Sequence, residues 1–296
     1  MIYNNILELI GKTPLLKLNN IENNIYLKLE KYNIGGSIKD RAVLGMIEDL
    51  MEKGEIKKGD TIVEATSGNT GIALSMIGKI KGLNIIIVMP SSMSKERRDL
   101  MKAYGADIVL TGEGGMQASI DKALELVNSN ENYKSLKQFE NESNPNKHYK
   151  TTAVEIYEDV KDIDIFVCGI GTGGTISGVA RYLKEMNKNI KVIGVEPESS
   201  PLISKGYSGA HKIQGIGANF IPKNLDMSVI DEIVTVSDED AINTVKLIGE
   251  KEGVLVGISS GANIFASIKI AKENKDKKIV TIAPDGIEKY LSMNIF

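Results

Sequence analysis

Cysteine is almost absent: Cys168, inside an apolar run, is the only one in 296 residues. No disulfide framework can exist, and a reducing, cytoplasmic setting fits. Histidine is nearly as rare, with His148 and His211 alone. Neither has Cys or His partners at ligand spacing, so no metal site is expected. Charge of one sign is not concentrated. Lys and Arg number 36 against 39 Asp and Glu, scattered along the chain, which leaves no basic stripe for nucleic acid. No apolar run approaches the roughly 20 residues that cross a bilayer. The first five residues hold no basic region leading into an apolar stretch, so neither a membrane span nor a secretory leader is expected. Fixed-period repeats and low-complexity tracts are missing too, which sets aside repeat architectures.

What is present is an ordinary enzyme composition, 42% hydrophobic and 25% charged, over a length that suits one large or two coupled domains. Short Ile- and Val-rich runs at 61–65, 84–89, 107–110, 163–168, 191–195, 232–236 and 278–283 read as strands. Amphipathic stretches at 40–53, 71–81, 95–104, 116–128, 174–186, 238–252 and 261–272 read as helices between them. That alternation predicts an α/β fold with parallel sheet covered on both faces. The polar stretch 141–146, Asn-Glu-Ser-Asn-Pro-Asn, reads as a crossing between lobes. Ligands of such folds sit at the carboxyl ends of strands.

Four segments carry chemistry. In 33–41, Asn-Ile-Gly-Gly-Ser-Ile-Lys-Asp-Arg, two glycines precede Lys39 at a helix start. The positive end of a helix disfavours an ammonium and favours a neutral, nucleophilic amine, although a capped helix start with a surface lysine would look alike. In 64–71, Thr66, Ser67, Gly68, Asn69 and Thr70 bring hydroxyls, an amide and backbone N–H groups together between strand and helix. Such a loop can cradle a carboxylate or simply cap the helix. In 169–175, Gly171, Thr172, Gly173, Gly174 and Thr175 form a glycine-rich helix start suited to a phosphate. The segment also matches a dinucleotide fingerprint, with Glu196 ending the next strand. In 257–262, Ser259 again lies between an expected strand and a helix, where a plain helix cap is the simplest reading.

Together, in this order and spacing, the four segments resemble the fold-type-II pyridoxal-phosphate enzymes, and closely their cysteine synthase branch. The resemblance runs from residues 10–15, Ile-Gly-Lys-Thr-Pro-Leu, to 288–292, Glu-Lys-Tyr-Leu-Ser. Ile34 and Ala65 stand where that branch usually has proline, and 151–156 lacks its usual Gly-Pro before the glutamate. None of these departures removes a chemical group.

The resemblance implies two lobes, each a mostly parallel twisted sheet covered by helices, with the cofactor in the cleft between them. The larger would comprise 1–34 and 146–296, the smaller, mobile one 35–145. Lys39 would carry pyridoxal 5'-phosphate. Gly171, Thr172, Gly173, Gly174 and Thr175 would hold its phosphate, Asn69 its ring hydroxyl, and Ser259 would face its ring nitrogen. Thr66, Ser67, Gly68, Asn69 and Thr70, with Gln138, would bind the substrate carboxylate. A serine beside the ring nitrogen does not enforce its protonation as a carboxylate would, and the weaker electron sink suits β-elimination over transamination. The implied reaction is β-replacement through an α-aminoacrylate, from O-acetylserine and sulfide to cysteine. The alternative is cysteine breakdown or replacement releasing hydrogen sulfide, with serine, lanthionine or cystathionine as product. A homodimer and a serine acetyltransferase partner are implied as well. Gly215 and Asn219 lie in 214–222, which matches a loop at the mouth of the site. Cysteine synthases typically have glycine at the Asn219 position and cystathionine β-synthases aspartate. Asn219 would therefore meet the incoming nucleophile, or else tolerate an unusual backbone angle.

Overall fold

The structure is a computed structural model describing residues 2–93 and 95–291. Ser292, the end of the family-like stretch, lies outside the described residues. In chain order the elements are β1 (Leu15–Lys17), β2 (Ile25–Leu29), α1 (Lys39–Glu52), β3 (Thr61–Ala65), α2 (Asn69–Ile80), β4 (Asn84–Pro90), α3 (Lys95–Ala103), β5 (Asp107–Thr111), α4 (Gly115–Ser129) and β6 (Tyr133–Lys134). They continue with α5 (Ser143–Lys150), α6 (Thr152–Asp159), β7 (Ile165–Gly169), α7 (Gly174–Met186), β8 (Lys191–Pro197), α8 (Leu202–Lys205), β9 (Glu232–Val236), α9 (Asp238–Glu252), α10 (Ile258–Glu273) and β10 (Ile279–Ala283).

The strands separate into two sheets. Six form one sheet in the order β1-β2-β10-β7-β8-β9, parallel except for β1 against β2. Four form a wholly parallel sheet, β5-β4-β3-β6. The continuous apolar runs of β4 and β10 are buried because helices cover both faces, as the Ile and Val content requires. Helices α9 and α10 pack one face of the larger sheet and α6 and α7 the other. On the smaller sheet, α1 and α2 cover one face and α4 the other. Local signals set the ends. Ser237 caps α9 by accepting from the Asp240 N–H, three acidic residues follow, and Gly253 closes the helix at φ 69°.

Two expectations change. The stretch 141–146 does run from the smaller sheet to the larger, but through helices. Asn141 Oδ1 accepts from the Ser143 N–H at 2.9 Å and starts α5, where Pro145 occupies the first turn and loses no helical bond. Residues that read as a turn thus serve as a helix start. No strand precedes α10, because the 254–257 stretch joins neither sheet and enters the helix directly from the end of α9. Strands β1, β2 and β6 were not anticipated, the first and last being too short to show an alternation.

Candidate active site

A cleft of about 1780 Å³ opens between the two sheets. Every residue that the resemblance assigns to cofactor or substrate lines it except Gly174, which sits one position behind the wall. Three loops converge at carboxyl ends of strands: 66–68 after β3, 170–173 after β7 and the 284–285 turn after β10. This is where an open parallel sheet leaves room for a ligand.

Lys39 begins α1 at the join of the two lobes. Ile38 packs in the core of the larger sheet, whereas Ala42 to Ile47 pack in that of the smaller. The start of α1 is pinned by Arg41, whose guanidinium makes bidentate contacts with Glu30 at 2.8 and 2.9 Å and with Glu155 at 2.6 and 2.7 Å. Thr13 donates to Glu30 at 2.6 Å, and Lys28 reaches Glu155 at 3.0 Å. A buried charge cluster of this kind holds only because each member is paired. Burial opposes ionisation of Glu155, yet the Arg41 bonds and charge hold its carboxyl at about 2. Asp40 turns back to accept from the Gly35 N–H at 2.6 Å and fixes the two-glycine turn, while burial pushes its carboxyl up to about 7.

The Lys39 amine lines the cleft without a hydrogen-bond partner among the described residues. Burial lowers it from the ordinary lysine range, while the charges of Asp285 and Cys168 pull the other way. The helix start was the expected cause; desolvation is the leading one. Cys168 is a buried residue of β7 whose thiol burial pushes up to about 12, so it remains a thiol and packs as expected.

The 66–70 loop is tied to its surroundings. Thr70 donates to Gln138 Oε1 at 2.8 Å, which joins two predicted carboxylate binders directly. The Arg97 guanidinium, from α3, donates to the Ser67 carbonyl at 3.3 Å and to Gln214 at 3.0 Å, bridging the loop to the opposite wall. Asn69 donates to Asp285 Oδ2 at 2.7 Å and accepts from Lys289 at 3.0 Å.

The glycine-rich turn is close-packed behind. Gly173 sits at φ 80°, and a methyl there would meet the Leu225 backbone at 2.8 Å. A methyl at Gly171 would strike the Gly215 carbonyl, and one at Gly174 the Asn144 amide. Asn144 in turn donates to Thr172 at 3.1 Å. The N-cap Gly173 offers no side chain, and the Gly174 N–H reaches only the Thr172 hydroxyl, at 3.4 Å, which leaves the start of α7 suited to an anion. His148 is buried between Thr152 at 2.9 Å and Thr175 at 3.3 Å, and burial holds it well below the ordinary histidine range. It therefore positions the Thr175 hydroxyl as a neutral ring. Glu196 does not wait for a ribose: its carboxylate accepts from the Ile203 and Ser204 N–H groups at 3.0 Å each and from the Ser204 hydroxyl, capping α8. The dinucleotide alternative loses its acidic partner.

Ser259, in the first turn of α10, is 3% exposed, and no described residue engages its hydroxyl. Asn219 is exposed at the mouth beside Gly215. Among the described residues the positive-φ non-glycines are Lys12, Lys137 and Asp162; Asn219 is not one of them, so the unusual-backbone explanation for it falls. Sequence reasoning missed Arg41, Arg97, His148, Asp285, Lys289 and Tyr290. Arg41 had a visible signal, a charge two residues beyond Lys39, and so did Asp285, an acidic residue at a strand's carboxyl end. The others act across distances that no local pattern reveals.

The set suits pyridoxal phosphate: an amine and a serine hydroxyl that no described residue engages share one cleft with a glycine-rich helix start suited to a phosphate. Among known proteins, residues 6–285 match the family described as pyridoxal-phosphate dependent enzymes. Cysteine synthase B of Campylobacter jejuni is 51% identical over 297 residues, covering 100% of this chain and 99% of that one. A hydrogen sulfide-producing enzyme of Fusobacterium nucleatum has a TM-score of 0.95 at 48% identity, covering 98% of each chain. A cysteine synthase of Entamoeba histolytica has a TM-score of 0.97 at 41% identity, covering 100% of this chain and 91% of that one. With the family match spanning nearly the whole chain and half the residues shared with a cysteine synthase, the chain belongs to the pyridoxal-phosphate-dependent enzymes, on their fold-type-II cysteine synthase branch.

Proposed function

We propose that this chain performs β-replacement on a serine- or cysteine-like amino acid, with O-acetylserine and sulfide giving cysteine and acetate. The observation that carries the reading is the Lys39 amine, depressed by burial and without a hydrogen-bond partner among the described residues, in a cleft shared with the glycine-rich start of α7 and Ser259. When bound, pyridoxal phosphate supplies the electron sink for the substrate's α-carbon.

Lys39 would hold the cofactor covalently. Gly171 to Thr175 would receive its phosphate at the start of α7, with His148 orienting Thr175. Ser259 would face the ring nitrogen without enforcing its protonation. Thr66, Ser67, Gly68, Asn69, Thr70 and Gln138 grip the substrate carboxylate. Lys39, once free, would take the α-proton as a general base, and the burial that lowers its pKa from the ordinary lysine range favours the neutral amine this needs. The β-substituent leaves with its bonding pair, a sulfur nucleophile entering past Gly215 and Asn219 adds at the β-carbon, and Lys39 returns the proton to the α-carbon. Segment 35–145 is the lobe that moves on carboxylate binding and excludes water.

The chain is further read as a cytoplasmic homodimer with serine acetyltransferase as a partner. The single buried cysteine supports the compartment, and the family resemblance supports the assembly. A second reading, cysteine breakdown with release of sulfide, is favoured by the likeness to the Fusobacterium enzyme. Steady-state assays on one preparation separate the two. The first reading requires cysteine formation from O-acetylserine and sulfide to exceed sulfide release from cysteine in kcat/KM, and the reverse order assigns the second. Activity with neither donor refutes both.

A further inference from the structure

Asn69 is held at both ends of its side-chain amide by groups from the far end of the chain. Its Oδ1 accepts from the Lys289 ammonium at 3.0 Å, and its Nδ2 donates to Asp285 Oδ2 at 2.7 Å. An ammonium only donates, so the atom facing Lys289 must be the amide oxygen. Asp285 Oδ2 also accepts from the Tyr290 hydroxyl at 2.6 Å, and with two donors on it that oxygen is an acceptor whichever charge the carboxyl carries. Asp285 is 1% exposed, so water does not replace these bonds. The amide therefore has one orientation, with one N–H unspent, and Asn69 lines the cleft with Lys39. Without these anchors the amide torsion is broad and nearly two-fold, and a flip would present oxygen to an anionic oxygen. Lys289 also donates to the Gly36 carbonyl at 2.9 Å and the Gly35 carbonyl at 3.3 Å. One ammonium thus ties the turn before Lys39 to the amide that faces the ligand.

We propose that Asp285 and Lys289 are positioning residues that lock the Asn69 amide so that its free N–H meets the ring oxygen of the cofactor held by Lys39. The proposal rests on the reading of Lys39 and Asn69 given above. The test uses the holoenzyme. Lys289→Met should shift the visible absorption band of the bound cofactor and its pH dependence. It should also lower kcat/KM for O-acetylserine roughly 10- to 100-fold, the effect of losing one hydrogen bond to a charged group. Lys289→Arg, still a pure donor, should recover most of both. In an Asn69→Ala background, Lys289→Met should add little, because the residue it orients is gone. Asp285→Asn, which keeps the shape but no longer dictates the orientation, should shift the band in the same direction by less, and it serves if the Met variant does not fold. A wild-type band in folded Lys289→Met, or in Asp285→Asn where that variant stands in, overturns the proposal, as do fully additive effects in the double variant. Borohydride labelling of the same samples reports separately on the underlying reading: a label away from Lys39 removes that reading, whereas a label on Lys39 with an unmoved band removes only this inference.

Discussion

Lys39 and Ser259 enter the cleft with polar atoms that no described residue engages, while nearly every other charged group around them is paired. Leaving such groups unpaired costs stability, so their persistence points to an external partner. On the proposed reading, Ser259 faces the cofactor ring and would decide which chemistry it performs. Its place in the first turn of α10 tolerates an anion, since the helix start carries partial positive charge. Ser259→Asp should therefore fold, yet an aspartate would hold the cofactor ring nitrogen protonated. The expected outcome is a shifted visible band and a β-replacement rate at least about tenfold lower, with transamination appearing, read by absorbance and by keto-acid release. An unchanged band and rate would separate Ser259 from the ring. Legibility at this scale followed locality. Lys39 announced itself through the glycines just before it. Asp285 and Lys289 lie 216 and 220 residues from Asn69, and only the fold brings them together.

At the scale of elements, the site is built from strand ends and helix starts. Their sequence patterns were plain for β3–α2 and β7–α7, where apolar runs give way to small polar residues. The pattern misled before α10, because an apolar run there packs without joining a sheet, and at α5, where helix-starting Asn and Pro imitate a turn. Strand β3 also carries a buried acid. Glu64 accepts from the Ser135 hydroxyl at 2.9 Å and the Leu136 N–H at 3.2 Å, tying the strand before the 66–70 loop to the segment that leads to Gln138. Burial dominates and raises its carboxyl from 4.5 to about 7. The native state then binds the Glu64 proton more tightly than the unfolded chain does. Its contribution to stability is full below pH 4.5 and declines as pH rises toward about 7, levelling above. Glu64→Gln mimics the protonated form and keeps an acceptor. The variant should gain stability over wild type across this window, by on the order of 3 kcal/mol at most. Denaturant titrations at pH 5 and pH 8 check it. The same difference between variant and wild type at both pH values would contradict the assignment. Asp40 shifts with the same sign, so comparison of the two proteins, not the wild-type slope alone, isolates Glu64.

For the whole molecule, two sheets with separate cores meet at α1, where Ile38 just before the helix packs into one core and the helix body packs into the other. Strand and helix alternation made the α/β class legible, and seven of the observed strands fell where apolar runs placed them. How the strands sort into two sheets was not readable from periodicity, because parallel pairing joins segments far apart in the chain, such as β2 with β10. The long-range order came from the resemblance. On the proposed reading, that architecture places Lys39 where substrate gripped by one lobe would meet cofactor seated on the other, and this lysine would drive β-elimination there. The most direct test is a single turnover with O-acetylserine, without sulfide, on pyridoxal-phosphate-loaded wild type and Lys39→Ala. Wild type should release a burst of acetate approaching one per chain, with cysteine appearing only when sulfide follows, and the rate in Lys39→Ala should be lower by at least about 10²-fold, as expected on losing a general base. Acetate bursts of equal rate and size in the two proteins, or none from wild type, would contradict it.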